Sequence, residues 1–144
     1  MRITSTAFEH EGDIPAQFTC DGLDVSPPLT VHDLPPETAS LVLIVDDPDA
    51  PVGTWDHWIE YDIAPVTEIP EDVEALGTPG TNSWGRTGYG GPCPPDGVHR
   101  YFFTLYALDT ELGFEPGEDK ITIIDAIHGH VLAEAVLMGF YERA

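Results

Sequence analysis

Proline and glycine interrupt this chain so often that few segments could form a long helix. There are 14 prolines and 14 glycines among 144 residues, and helical periodicity of any length appears only after residue 120. Proline breaks helices because it lacks an N–H and its ring clashes with the preceding turn, and glycine weakens them. Short apolar segments bounded by such residues are typical of strands. The chain is therefore predicted to be mainly β.

Length and hydrophobic content predict a single domain over residues 1–144. The chain is 42% hydrophobic, which is enough to bury one core, and a usual domain size of ~100–150 residues leaves no room for a second. No internal repeat or low-complexity linker divides it.

The clearest strand covers residues 40–45. Its run LVLIV has no polar alternation, which is typical of a strand buried on both faces. Pro48 and Pro51 are expected to end the strand and to stiffen the loop that follows. The carboxylates that this loop is expected to carry are Asp46, Asp47 and Asp49.

Two further segments alternate with the period of a strand. In the first, alternation places on one face His57, Ile59, Tyr61 and Ile63. In the second, it places on one face His99, Tyr101, Phe103 and Leu105. Each histidine therefore shares a face with apolar residues that should point toward the core. The second strand is apolar on both faces, so it is predicted to be central.

About twenty residues between these strands, 78–97, show no apolar period. Long structureless segments inside a compact domain are uncommon unless they are functional. Near the end of the chain, Thr122 and Asp125 have the spacing of a capping box. The apolar stripe predicted for the short C-terminal helix consists of Ile124, Ile127, Val131 and Ala135. Residues 135–143 are then predicted to form a closing strand.

The excess of acidic residues argues against polyanionic partners and favours a salt-rich environment. The net charge is −21, from 26 acidic residues against five basic ones, so the chain has no cationic surface for nucleic acid or anionic membranes. Self-repulsion of this size is screened at molar salt, where the Debye length is ~3 Å. We therefore expect a salt-rich cytosol, as in halophiles.

The expected cellular compartment of the protein determines the expected redox state of its two cysteines. The N-terminus lacks the apolar run of a signal peptide, and LVLIV is too short to span a bilayer, so a cytoplasmic protein is expected. Cys20 and Cys93 are too few for a zinc site. Free thiols are the default in a reducing cytosol, although a disulfide between them stays open. A nucleophilic role for Cys93 is less favoured than a structural one.

Seven residues form a candidate site for a small anion. If the two histidine-bearing strands are neighbours, imidazoles, a phenol and a carboxylate converge at one end of the fold. The adjacent glycines would let backbone N–H groups approach a ligand, and imidazoles donate hydrogen bonds more fully as the pH falls toward 6. The candidate residues are Asp47, Asp49, His57, Gly90, Gly91, His99 and Tyr101.

Other interpretations of these residues stay open. Each histidine could be a core residue bonded to backbone, Tyr101 could be core packing, and the DPDAP segment could be an Asx turn. Arg100, beside the candidate site, is more readily explained by a carboxylate partner than by ligand contact. His57, His99 and Asp47 also match the ligand set of a metal-dependent hydrolase, although no tight histidine spacing supports it.

These residues stand in motifs that resemble those of the phosphatidylethanolamine-binding proteins, in the bacterial and archaeal branch often labelled Raf kinase inhibitor-like. The motifs occur in the family's order and span nearly the whole chain. They are IPAQFTCDGLDVSPPL at 14–29, DDPDAP at 46–51, WDHW at 55–58, GYGGPCPPDGVHRYFFTLYALD at 88–109 and GHVLAEA at 129–135.

The resemblance implies a two-sheet antiparallel β-sandwich with Greek-key connections, a short C-terminal helix and a pocket for small anions such as phosphate groups. The family positions it matches are Asp47, His57, Gly91, His99 and Tyr101. It implies a non-enzymatic binding protein that needs no cofactor, with inhibition of a kinase or a protease as an extension, and a homodimer. The end of the chain at Ala144 implies a shallower mouth than in mammalian members, ill-suited to a diacyl lipid.

Overall fold

The structure is a computed structural model that describes residues 1–144. It contains nine strands, one α-helix and a single 3₁₀ turn at Ala16–Phe18, which confirms the prediction of a mainly β chain. The strands are β1 (Arg2–Thr4), β2 (Gly12–Asp13), β3 (Leu29–His32), β4 (Ser40–Asp47), β5 (Trp55–Ile63), β6 (Glu68–Ile69), β7 (Thr78–Pro79), β8 (His99–Leu108) and β9 (Val131–Tyr141). The helix α1 spans Lys120–Ile127.

The strands form two sheets. The smaller has the order β1-β3-β6 and the larger β2-β9-β8-β4-β5-β7. All pairs are antiparallel, as expected for this sandwich, except the two-residue pairing of β2 with β9, which is parallel. Within the larger sheet, β8-β4-β5-β7 is the 4-1-2-3 order of a Greek key. As predicted, β8 is central.

Two apolar clusters hold the layers together. The main cluster of 18 buried residues joins the sheets, combining Ile3 and Val31 of the smaller with Leu43 and Phe103 of the larger. A second cluster of seven lies where α1 covers the opposite face of the larger sheet. Strand β4 therefore has apolar neighbours on both faces, as its unbroken aliphatic run predicted.

Irregular pairing in β5 overturns part of the predicted alternation. Trp58 pairs with Val45 and Asp56 with Asp46, so His57 is an extra residue at a bulge. A second register shift accompanies the positive φ of Asp62, 50°. A bulge reverses the direction of the side chains beyond it. Consequently Ile63 joins the main cluster, whereas Ile59 and Tyr61 face α1.

The loop after β4 is shorter than expected. Asp46 and Asp47 still pair with Asp56 and Trp55 of β5, so both belong to the strand. Of the three carboxylates predicted for the loop, only Asp49 lies on it. The strand continues to Asp47, directly before Pro48, because β5 is long enough to supply pairing partners.

The helix prediction is correct in type but wrong in its boundaries. Asp119, and not Thr122, is the N-cap: its Oδ1 accepts the N–H of Thr122 at 2.9 Å. The helix ends before Gly129, whose φ is 84°, a conformation that favours glycine at helix ends.

The predicted apolar stripe is correct only for Ile127. Ile123 and Ile127 are buried, whereas Ile124 is 39% exposed. Val131 and Ala135 belong to β9, so the closing strand is confirmed but begins earlier than expected. No helix here has the length and apolar character required to cross a bilayer.

Candidate functional site

A cavity of about 350 Å³ at one end of the larger sheet collects four of the seven predicted site residues. They are Asp47, His57, His99 and Tyr101. Asp47 ends β4, whereas the other three lie near the starts of β5 and β8. Because β4 is antiparallel to both neighbours, these strand ends meet at the same edge. All four residues are at least 94% buried.

Asp47 and His99 form a closed pair at the base of the cavity. His99 Nδ1 lies 2.7 Å from Asp47 Oδ2, and His99 Nε2 lies 3.1 Å from the carbonyl oxygen of Asp96. The second carboxylate oxygen of Asp47 accepts the N–H of Asp49 at 2.8 Å. Both ring nitrogens of His99 therefore face oxygen atoms, and both carboxylate oxygens of Asp47 already have a partner within the protein.

His57 is held in one tautomer by backbone. Its Nδ1 lies 2.7 Å from the carbonyl oxygen of Gly90, which can only accept, so Nδ1 carries the hydrogen. Burial lowers the pKa of His57 despite this hydrogen bond and the charge of Asp47. The ring is therefore neutral near pH 7, with a lone pair on Nε2. The rings of Trp84 and Tyr101 fix its orientation by edge-to-face contacts, with centroids 5.0 and 5.2 Å away.

The hydroxyl of Tyr101 is buried and has no hydrogen-bond partner. Buried tyrosine hydroxyls are normally bonded, because leaving one unpaired costs about 1–3 kcal/mol. Burial raises the pKa of Tyr101, and the charge of Asp47 raises it further, although no hydrogen bond joins the two side chains. The phenol thus keeps its proton. The base of the cavity thus contains a donor without a partner, Tyr101 O–H, and a ring nitrogen without a partner, His57 Nε2.

The walls above these polar groups are largely apolar, with Trp55 and Trp84 supplying aromatic rings. The remaining wall residues are Ala50, Pro51, Val52, Cys93, Pro94 and Pro95. These apolar walls lower the polarity around the groups at the base, and electrostatic contacts there become stronger as a result.

Cys93 in this wall is joined to Cys20 by a disulfide that links positions 73 residues apart. The default expectation of two free thiols is therefore wrong, and Cys93 in this state has no thiol for nucleophilic attack. Both cysteines are solvent-exposed. The bond fastens the segment after the 3₁₀ turn to the cavity wall.

Asp49 is a predicted site residue that the structure places elsewhere. Its carboxylate accepts three hydrogen bonds from Arg100, from the backbone N–H at 3.0 Å, Nε at 2.9 Å and Nη2 at 2.8 Å. These bonds lower the pKa of Asp49 to about 2, and Asp49 does not line the cavity. This is the carboxylate partner that the sequence favoured for Arg100.

Gly90 and Gly91 do not present free N–H groups to the cavity, so that expected role is wrong. The N–H of Gly90 donates to the carbonyl oxygen of His57 at 3.0 Å, and that of Gly91 to Asp24 Oδ1 at 2.8 Å. Glycine is required here for packing, because a Cβ at Gly90 would overlap the ring of Trp84 and one at Gly91 the backbone of Phe18.

Two contributors were missed from the sequence. Trp84 lines the cavity and contacts His57. Asn82 holds the loop that carries it, since its Oδ1 accepts the N–H of Trp84 at 3.0 Å and its Nδ2 donates to the carbonyl oxygen of Gly88 at 3.1 Å. The segment TNSWG carries the signal of an Asx turn, which could have identified Asn82. No pattern in the sequence around Trp84 indicates its contact with His57.

The metal-site alternative gains no support from this arrangement. Nowhere do three or more His, Cys, Asp or Glu side chains form a group that could hold a metal ion. Of the three proposed ligands, both nitrogens of His99 and Nδ1 of His57 face protein oxygens. Of the four ring nitrogens, only Nε2 of His57 is left with a free lone pair.

Comparisons with known proteins agree with one another. A family profile described as phosphatidylethanolamine-binding protein matches residues 4–142. A UPF0098 protein of Methanothermobacter thermautotrophicus is 49% identical over 150 residues, covering 99% of each chain.

Two crystal structures have the same fold. The Chlamydia trachomatis phosphatidylethanolamine-binding protein homologue CT736 superposes with a TM-score of 0.97 at 44% identity, covering 99% of this chain and 97% of the other. Escherichia coli YbcL, described as a member of the mammalian PEBP family, gives a TM-score of 0.90 at 28% identity, covering 99% and 98%.

Proposed function

Because the chain belongs to the phosphatidylethanolamine-binding protein family, we propose that it is a non-enzymatic binding module for a small anionic or phosphorylated ligand. The ligand lies in the cavity formed by Asp47, His57, His99 and Tyr101. The observation that carries this proposal is the buried, unpartnered hydroxyl of Tyr101. Asp49, Gly90 and Gly91 support the walls and make no ligand contact.

A phosphoryl or carboxylate oxygen supplies what Tyr101 lacks. The hydroxyl donates to that oxygen, which removes the cost of an unpaired buried polar group, about 1–3 kcal/mol. The surrounding apolar walls make this charge-assisted hydrogen bond stronger than it is in water. They also favour a ligand whose anionic group is attached to an apolar or aromatic part.

Binding at this site is coupled to a proton. The lone pair on His57 Nε2 repels a bare anionic oxygen, so either the ligand oxygen carries a hydrogen or His57 becomes protonated. Since burial lowers the pKa of His57 in the free protein, its protonation requires a pH below the ordinary value of about 6.5. An anion stabilises the charged ring and raises this pKa, so affinity increases as the pH falls.

Replacement of a single oxygen tests the proposal. Tyr101→Phe removes only the hydroxyl, and we expect phosphate and phosphoserine to bind about five- to tenfold more weakly to the variant, consistent with a lost hydrogen bond. Tyr106→Phe is the matched control, because Tyr106 lies on the opposite face of β8. Affinities are measured by calorimetry in high salt.

The same titrations at pH 6 and pH 8 test the proton coupling. Wild type should bind phosphate more tightly at pH 6, and His57→Asn should lose most of this difference. Equal affinities for wild type and Tyr101→Phe, or no measurable phosphate binding at either pH, would contradict the proposed function.

A further inference from the structure

A second, smaller cavity of about 170 Å³ lies beside β5 and β7, away from the disulfide wall. Its lining includes Trp58, Val73, Leu76 and Tyr89. It also includes Glu60, whose side chain is a carboxylate in a residue that is only 5% exposed. None of the residues assigned to the anion cavity lines this one.

Glu60 is buried without a cation. It takes part in none of the ion pairs of the molecule, and no lysine, arginine or histidine lines the cavity. Its two oxygens accept the N–H of Gly77 at 3.1 Å and Trp58 Nε1–H at 3.3 Å. Burial raises the pKa of Glu60 in spite of these bonds. Each carboxylate oxygen can accept a further hydrogen bond.

The cavity wall narrows the class of cation that could neutralise this carboxylate. Hard metal ions require several oxygen ligands, and no group of three or more acidic, histidine or cysteine side chains is available. The wall instead presents aliphatic side chains and the rings of Trp58 and Tyr89, whose centroids are 5.4 Å apart. Aromatic rings attract ammonium groups, and the more so where water is excluded.

We propose that this second cavity binds a small organic ammonium ion. The N–H groups of the ion donate to the Glu60 carboxylate, and its carbon substituent packs against Trp58 and Tyr89. The exposed carboxylate of Glu74 at the rim adds negative potential at the entrance. The volume restricts the ligand to a few heavy atoms. This site is independent of phosphate binding, because the two cavities share no lining residue.

The test uses wild-type protein and methylammonium chloride as the probe. The amide N–H of Gly77 and the indole N–H of Trp58 both donate to Glu60, so their NMR signals report on this carboxylate. We expect saturable shifts of both signals with methylammonium and none with potassium chloride at equal ionic strength. Identical responses to the two salts would overturn the proposal.

Two variants with the same net charge distinguish binding at this cavity from a general effect of the protein's charge. Glu60→Gln should weaken methylammonium binding at least about tenfold, since it removes the buried charge. Glu111→Gln, an exposed residue outside the cavity, should bind like wild type. Equal affinity of Glu60→Gln and wild type would overturn the proposal.

Wild-type NOEs keep the proposal testable if Glu60→Gln does not fold. Contacts between the methyl protons of the probe and the ring protons of Trp58 or Tyr89 are expected. Their absence at saturating probe would equally overturn the proposal.

Discussion

The role of each polar side chain around the cavity depends on the group to which it is hydrogen-bonded. Asp47 and Asp49 are two residues apart, yet Asp47 is buried against His99 and Asp49 lies at the surface against Arg100. Similarly, the carbonyl oxygen of Gly90 selects the tautomer of His57, whereas the N–H of Gly91 is taken up by Asp24.

At the residue scale, the ion pair between Asp49 and Arg100 predicts the direction in which the pKa of Asp49 moves when Arg100 is replaced. Arg100→Gln should return the pKa of Asp49 from about 2 toward its ordinary range, because the variant loses the guanidinium hydrogen bonds and charge. Since the folded-state pKa is lowered, the stabilisation by this pair is present above the unfolded pKa of about 3.9 and is lost as the pH falls toward 2. Carbon-13 NMR of the carboxyl group measures the change. An unaltered pKa in Arg100→Gln would contradict the assigned cause.

Candidate residues on regular strands could be predicted, and those on loops could not. Period-two alternation in β8 placed His99 and Tyr101 on the core face, where the structure has them. The roles of Gly90 and Gly91 depend on Trp84, Phe18 and Asp24, and no local pattern reveals contacts between segments so far apart in sequence.

Secondary-structure elements were predictable where pairing is regular. Strand β4 follows from its unbroken aliphatic run and β8 from its period-two alternation, and the two pair with each other in an unbroken register. Strand β5 does not follow from its alternation, since its register with β4 shifts twice, and each shift changes the face to which the next side chain points. The predicted start of the helix lies about one turn after the observed one. Both Asp119 and Thr122 are residue types that cap helices, and the sequence does not show which of them is used.

For the helix, two aspartates distinguish the observed cap from the predicted one. Asp119→Ala should lower the free energy of unfolding by about 1 kcal/mol, because it removes the acceptor of the Thr122 N–H. Asp125→Ala, at the capping-box position expected from the sequence, should change it by less than about 0.5 kcal/mol, since Asp125 is exposed within the helix. Urea unfolding of both variants measures the difference. Equal losses would argue against Asp119 as the cap.

The disulfide between two non-regular segments is predicted to be a large contributor to stability. The loop it closes spans 73 residues, for which the chain-entropy relation gives about 4 kcal/mol. The double variant Cys20→Ser and Cys93→Ser should be less stable than oxidised wild type by roughly this amount in urea unfolding. Wild type in a strong thiol reductant should match the variant. Equal stability of oxidised and reduced wild type would contradict this role.

On the scale of the whole molecule, charge is the dominant feature. With a net charge of −21, the folded chain concentrates repulsion that the expanded unfolded chain relieves. We predict that the free energy of unfolding rises steeply as sodium chloride increases from about 0.1 to about 3 M, where the Debye length falls from about 10 Å to about 3 Å or less. Chemical unfolding in urea across this series measures the effect. Stability that is indifferent to salt would remove the expectation of a halophilic protein.

The ends of β4, β5 and β8 meet at the anion cavity, and this arrangement has a consequence for biosynthesis. Asp47 and His99 are 52 positions apart, so a nascent polypeptide emerging from the ribosome has no such cavity until β8 has left the exit tunnel. The anion proposed to bind there recognises only chains in which β8 is already in place, and it stabilises them by mass action. Its cellular concentration would thereby influence how much of the newly made protein escapes proteolysis.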